Sequence, residues 1–219
     1  MIAITDYAAA RFHMVEGQLR PNKVTDPALI AALSTVPREQ FAPERLRGVA
    51  YVDQALAVGG GRYLVEPLVL ARLLDEAAIQ PTDRALVIGA GAGYLVALLT
   101  QLAAAVVALE SLPDAAAALR RRFDAPGTVS VVEGPLVQGW SAAAPYDVIV
   151  IDGATARIEP AWQEQLAEGG RLVGVVHRPG ALGQARLIRR VGAAVSGRTL
   201  FEAATPILPE LAQKPEFVF

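Results

Sequence analysis

Cysteine is absent from the 219 residues. That excludes disulfides, thiolate nucleophiles and cysteine-based metal sites. Histidine is almost absent too: His13 and His177 stand far apart, with no pair at metal-ligand spacing, so no metal is expected. Charge is scarce, at 19% of residues, with a net charge of −2. Such a surface has no general attraction for nucleic acid or anionic lipid. The runs Arg120-Arg121-Arg122 and Arg189-Arg190 read as solvated surface. Long apolar runs are also missing, because Arg, Asp, Glu or Gly interrupts each one well before the ~18–20 residues of a membrane span. The first residues lack a basic start, an apolar run and a cleavage site. A soluble cytoplasmic protein with no nucleic-acid or membrane partner is expected, its oligomeric state left open.

What the chain has in quantity is apolar side chains, 53% of the total. A domain of this length buries roughly 70% of its unfolded surface. One domain over 1–219 is expected, divided into a helical extension over 1–80 and an α/β core over 81–219.

The first part carries no strong strand signal. Asp26-Pro27 predicts a helix start, since Asp can cap free N–H groups and Pro suits the first helical position. Leu29, Ile30, Leu33 and Val36 then share a face, and Pro37 ends it. Pro67 begins a second helix to about Ala77, with Leu70, Leu73 and Leu74 buried. Gly59-Gly60-Gly61 lies between them, and reads equally as a plain loop or as a site lining.

From Asp83 onward, strand and helix alternate. Ala85–Ile88 is a wholly apolar run of the kind buried on both faces of a sheet. A helix to about Leu102 follows, then a strand over Ala105–Leu109 and a helix capped by Ser111 with Asp114. Further strands are expected at Val129–Val132, Val148–Ile151 and Leu172–Val176, with a helix over Glu159–Ala167 stopped by Gly169-Gly170. Alternation of this kind implies a parallel sheet. Ala185–Val191 and Arg198–Ala204, punctuated by Gly192 and Gly197, predict an antiparallel pair at the sheet edge. The expected fold class is a doubly wound, mostly parallel α/β sheet.

Gly89-Ala90-Gly91-Ala92-Gly93-Tyr94 falls between the first buried strand and its helix. Open α/β sheets bind ligands there, at the carboxyl ends of strands. A dinucleotide fingerprint needs G-x-G-x-x-G, and Tyr94 stands at its third glycine. The pattern present is G-x-G-x-G. Glu110, ending the second core strand, is placed to accept hydrogen bonds from ribose hydroxyls.

Several segments together resemble the protein-L-isoaspartate O-methyltransferases, within the class I S-adenosylmethionine-dependent methyltransferases. They are Val36–Pro43, Ala50–Asp53, Ile88–Tyr94, Leu109-Glu110, Gly139-Trp140 with Ala144–Asp147, and Gln165-Leu166 with Gly169–Val173. Phe217-Val218-Phe219 is similar to the tail of a shorter, divergent bacterial branch. The resemblance implies S-adenosylmethionine as cofactor, held by Gly89, Ala90, Gly91, Gly93, Glu110, Ser111, Gly134, Pro135 and Leu136. It implies methyl transfer to the free carboxylate of L-isoaspartyl residues in damaged proteins, followed by succinimide closure and partial return to aspartate. The partner would be an isoaspartyl protein or peptide.

Three stretches depart from the family pattern. Gly61–Pro67 stands for the family's G-Q-T-I-S-Q-P, with Tyr63 for threonine, Val65 for serine and Glu66 for glutamine. Gly134-Pro135-Leu136 replaces G-D-G, and Asp152-Gly153-Ala154 replaces A-A-A. Tyr63, Val65 and Asp152 are therefore the substrate-side candidates, and no catalytic residue is assigned. Two alternatives stay open: a methyltransferase with another acceptor, oriented by Asp152 or Glu66, and a cofactor-binding protein that has lost isoaspartyl activity. Trp140 and Trp162 read as packing residues, His177 as structural, and Asp147 as a strand start.

Overall fold

The computed structural model describes residues 6–125, 127–177 and 181–213. The Phe217–Phe219 tail lies outside them.

The amino-terminal third follows its caps. Helix α1 (Tyr7–His13) runs on into a π-helical stretch, Met14–Leu19. In α2 (Pro27–Thr35) the Asp26 carboxylate accepts from the Ala28 and Leu29 amides, as its sequence predicts. Leu29, Ile30 and Leu33 are buried, and Val36 turns extended before Pro37.

One expectation fails here. The stretch read as strandless contains an antiparallel hairpin, β1 (Leu56–Gly59) and β2 (Arg62–Leu64). Gly59, Gly60 and Gly61 take φ of 108°, 59° and 72°, and they make its turn. Leu56, Arg62 and Leu64 are buried while Tyr63 is half-buried. The alternation was illegible because one inward position is an arginine. Helix α3 (Pro67–Ala77) then buries Leu70, Leu73 and Leu74.

The core elements are β3 (Arg84–Ile88), α4 (Tyr94–Leu99), β4 (Ala105–Glu110), α5 (Pro113–Arg122) and β5 (Val129–Glu133). After them come β6 (Tyr146–Thr155), α6 (Pro160–Glu164), β7 (Leu166–Val176), β8 (Gly183–Val191) and β9 (Ala194–Ala203). They form one sheet in the order β5-β4-β3-β6-β7-β8-β9. The pairs from β5 to β7 are parallel; β8 and β9 add antiparallel. The expected edge pair is present, with Gly192 at its turn. Gly197 lies inside β9 opposite Ile188, rather than ending a strand.

Two local expectations are corrected. The helix expected over 159–167 stops at Glu164, because long-range pairing claims the next residues. The Tyr146 amide donates to the Gln165 carbonyl at 2.8 Å, and the Gln165 side chain bridges Trp140 N and Gln138 O. Nor does Ser111 cap α5. The N-cap is Leu112, without a side-chain bond, and the Ser111 hydroxyl is engaged elsewhere.

Strand alternation divides the interior in two. Ala85, Val87, Val106, Ala108, Val148 and Val150 share a cluster with α2, α3 and α4 residues. Leu86, Ile88, Leu109, Ile149 and Ile151 face Trp162, Leu136, Leu208 and Leu211. The second layer is therefore built from the short α6, single turns and the segment after β9. Among the described residues, no helix is long and apolar enough to cross a membrane.

Candidate functional site

Strand order reverses between β3 and β6, so their carboxyl ends border the crevice where open sheets take ligands. Gly89, Ala90, Gly91 and Gly93 turn the chain from β3 into α4. Gly89, Gly91 and Gly93 take φ of 76°, 51° and 90°, a region costly for other residues. Gly93 also admits Leu119 and Phe123, which lie 2.9 and 3.0 Å from where a Cβ would stand. The Gly89 and Ala90 amides donate to the Leu109 carbonyl, which ties the turn to β4.

Glu110 ends β4 with no exposed surface. Its carboxylate accepts from the amides of Gly91 (3.0 Å), Ser111 (2.7 Å) and Leu112 (2.9 Å). It is also gripped by Arg62, with Nε at 3.1 Å and Nη2 at 2.7 Å. Arg62 is 2% exposed. Its guanidinium also bonds Glu210 through Nη1 at 3.0 Å and Nη2 at 2.8 Å, and donates to Ser111 Oγ at 2.9 Å. Ser111 Oγ in turn donates to Glu210 at 2.7 Å. Burial opposes every charge in this cluster. The hydrogen bonds outweigh it, so Arg62 is raised, Glu110 lowered, and Glu210 lowered to about 2.

Glu210 belongs to the segment that leaves β9 and crosses the sheet's carboxyl edge. Ile207 bridges Ala154, the Leu208 amide donates to Ala154 O, and the Ala156 amide donates to Leu211 O, the last two at 2.9 Å. Thr205 is fully buried; its hydroxyl donates to Glu66 at 2.9 Å, and its carbonyl accepts from His177 Nε2 at 2.8 Å. Leu208 covers two glycines: a Cβ on Gly89 would meet its Cδ1 at 2.7 Å, and one on Gly153 its Cγ at 2.9 Å.

A second polar cluster is centred on Arg38 and Tyr94. Arg38, fully buried, donates to Ala50 O at 2.7 Å and Val65 O at 2.8 Å, and lies 4.9 Å from the Tyr94 ring centre. Among the described residues, Arg38 Nη1 and Tyr94 OH have no hydrogen-bond partner. Burial pushes the Asp152 carboxyl up to about 8, with Arg38 pulling against it. Burial likewise raises Tyr94 to about 12.

The sequence profile of the protein-L-isoaspartate(D-aspartate) O-methyltransferase family matches residues 11–203. The chain belongs to this family. It is 39% identical over 201 residues to the protein-L-isoaspartate O-methyltransferase of Methylorubrum extorquens (strain PA1), covering 91% of this chain and 86% of that protein. It is 39% identical to the protein of that name from Methanoculleus marisnigri, over 83% of this chain and 84% of the relative. A solved protein-L-isoaspartate O-methyltransferase superposes with a TM-score of 0.79 at 23% identity, over 92% of this chain and 67% of its own. A Plasmodium falciparum structure, described as a putative member in complex with S-adenosyl-L-homocysteine, gives 0.73 at 17% identity, over 93% and 98%. The class I methyltransferase fold expected from the sequence is the fold observed.

Within that family frame, the residues expected at the cofactor are differently disposed. Gly89, Leu136 and Leu208 meet, with Leu136 Cδ1 3.6 Å from a Cβ built on Gly89. Gly134 backs onto Trp140 and Leu109. Pro135 leads into the turn whose Leu136 carbonyl accepts from Trp162 Nε1 at 2.8 Å, so Trp162 is a packing residue. Of the substrate-side candidates, Asp152 borders the crevice at 7% exposure. The Val65 side chain joins the main core, leaving its carbonyl to Arg38. Tyr63 points to the opposite face from Arg62, as strand alternation requires. His177 and Glu66 anchor Thr205, and Asp147, one residue after the Tyr146 start of β6, accepts from the Arg84 amide.

Arg62 and Glu210 were missed. The alternation Arg62-Tyr63-Leu64 carried a signal for Arg62, but Glu210 lies 148 positions away and nothing local pairs them. In this arrangement the crevice is filled by the chain's own side chains. Both Glu110 oxygens are bonded, and Leu208 covers the glycine turn. A cavity of about 850 Å³ opens alongside, with Gly60, Arg62, Gly91, Leu112 and Arg122 in its wall; Gly89, Glu110 and Gly134 are not part of that wall.

Proposed function

We propose that this protein is an S-adenosylmethionine-dependent O-methyltransferase that acts on the free carboxylate of L-isoaspartyl residues in proteins. The observation that carries the reading is the family match over residues 11–203, with 39% identity to a relative named for this activity across 91% of the chain. The glycine turn after β3 and the carboxylate at the end of β4 support a nucleoside-bearing cofactor at this edge of the sheet. A carboxylate acceptor needs no proton removed at neutral pH, so a hydrophobic Val65 in place of the family's serine is compatible with the reaction. The chain's own contribution on the acceptor side falls to Asp152. It is close to neutral at pH 7, because its pKa is pushed up to about 8, and a neutral acid does not repel an anionic acceptor.

The test is transfer of label from S-adenosylmethionine to a synthetic isoaspartyl peptide, with the aspartyl isomer as control. Label confined to the isoaspartyl peptide supports the reading. Equal label on both peptides would assign a different acceptor.

A further inference from the structure

The cleft that the proposed function needs is filled by the chain itself. Three groups do the filling. The Arg62 guanidinium makes two hydrogen bonds to the carboxylate expected to hold ribose. Leu208, 2% exposed, lies over Gly89 and Gly153, and is packed with Ile88, Leu109 and Leu136. Glu210 joins the two by bonding both Arg62 and Ser111. The segment that carries Leu208 and Glu210 is fastened at each end. Thr205 is tied to Glu66 and His177, and Leu211 to the Ala156 amide. At the hairpin, Gly61 lets Pro209 approach, its Cγ lying 2.5 Å from where a Cβ would stand.

We propose that Thr205–Leu211, latched through Glu210 to Arg62 and through Arg62 to Glu110, is an internal plug. S-adenosylmethionine and this segment occupy the cleft alternately. The inference rests on the cofactor named in the proposed function. Geometry requires the exclusion: a carboxylate with two oxygens already bonded to a buried guanidinium and three amides has no room for two ribose hydroxyls. The Leu208 side chain likewise occupies the space against the glycine turn.

The latch has one weak member. Glu110 and Arg62 are buried, but the Glu210 side chain is 33% exposed. Losing Glu210 therefore frees the segment without stranding a charge in the core. Mild acid does not open the latch, since Glu210 is held ionised down to about pH 2. Opening requires Arg62 to swing off Glu110, so cofactor binding is coupled to movement of both the β1–β2 hairpin side chain and the segment after β9.

Only the open fraction binds, so a change that raises that fraction tenfold raises apparent affinity about tenfold. The experiment is calorimetric titration of S-adenosyl-L-homocysteine into the full-length wild-type protein, E210A and L208A. It is joined by amide hydrogen exchange of the wild type with and without saturating ligand. The expected result is binding about tenfold tighter for both variants, with the Ala154 and Ala156 amides losing protection when the wild type is saturated. These two amides donate to Pro206 O and Leu211 O, so they report the plug and not merely ligand contact. Equal affinity in all three proteins, with both amides still protected, would overturn the plug and leave the cofactor assignment standing. Absence of binding by wild type and variants alike would overturn the plug and the cofactor assignment together.

Discussion

Replacing Arg62 with methionine would leave the Glu110 carboxylate, with no exposed surface, without its cation. Breaking a buried pair from one side costs roughly 3–5 kcal/mol. Three backbone amides still hold Glu110, so the low end, about 3 kcal/mol, is expected in urea unfolding. Arg62→Met combined with Glu110→Gln should recover much of the loss, and a wild-type midpoint in the single variant would show that the pair is not formed. Asp152 predicts the opposite kind of effect. Its folded pKa, about 8, lies above the ordinary carboxylate range, so the folded state holds a proton that the unfolded chain has released. Stability is then fully present below about pH 4 and declines as pH rises towards 8. Asp152→Asn removes that decline, so its melting temperature should pull ahead of the wild type between pH 5 and 8; parallel pH profiles would contradict the burial of the charge. At this scale the sequence was partly legible. Glu110 showed because an apolar strand ended on it, and Asp152 because it departed from a family pattern. Arg62 was overlooked because its inward aim depends on a hairpin hidden by that very arginine.

The start of α2 carried a local signal, whereas the end of α6 and the path of the segment after β9 are fixed by distant partners. The α2 start was readable because Asp26 and Pro27 do their work within one turn of helix. Asp26→Ala should cost about 1 kcal/mol in urea unfolding, since two first-turn amides lose their acceptor. An unchanged midpoint would mean that α2 is held by its apolar face alone. The helix predicted to reach Ala167 stopped at Glu164 because Leu166 pairs with Tyr146. The segment after β9 gave no local sign of its path over Gly89 and Gly153. Its placement comes from side-chain fit, Leu208 against glycines more than fifty positions upstream, which no periodicity encodes.

For the molecule as a whole, the alternation of apolar strands with helices was enough to set a mostly parallel sheet, and two strand-like runs punctuated by glycine its antiparallel edge. The sheet's two faces are covered unequally. The amino-terminal helices pack on one, while the other relies on α6, short turns and the plug segment. The residues that close the cleft therefore also complete a core layer, and opening the cleft should carry a cost in stability. This links the family activity to the proposed latch. Both are tested by one comparison: the initial rate of methyl transfer from labelled S-adenosylmethionine to an isoaspartyl peptide, at cofactor well below saturation, for the wild type and Glu210→Ala. The prediction is label on the isoaspartyl peptide alone, appearing about tenfold faster with the variant in which Glu210 no longer fastens Arg62. Absence of label from either protein at saturating cofactor would contradict the account.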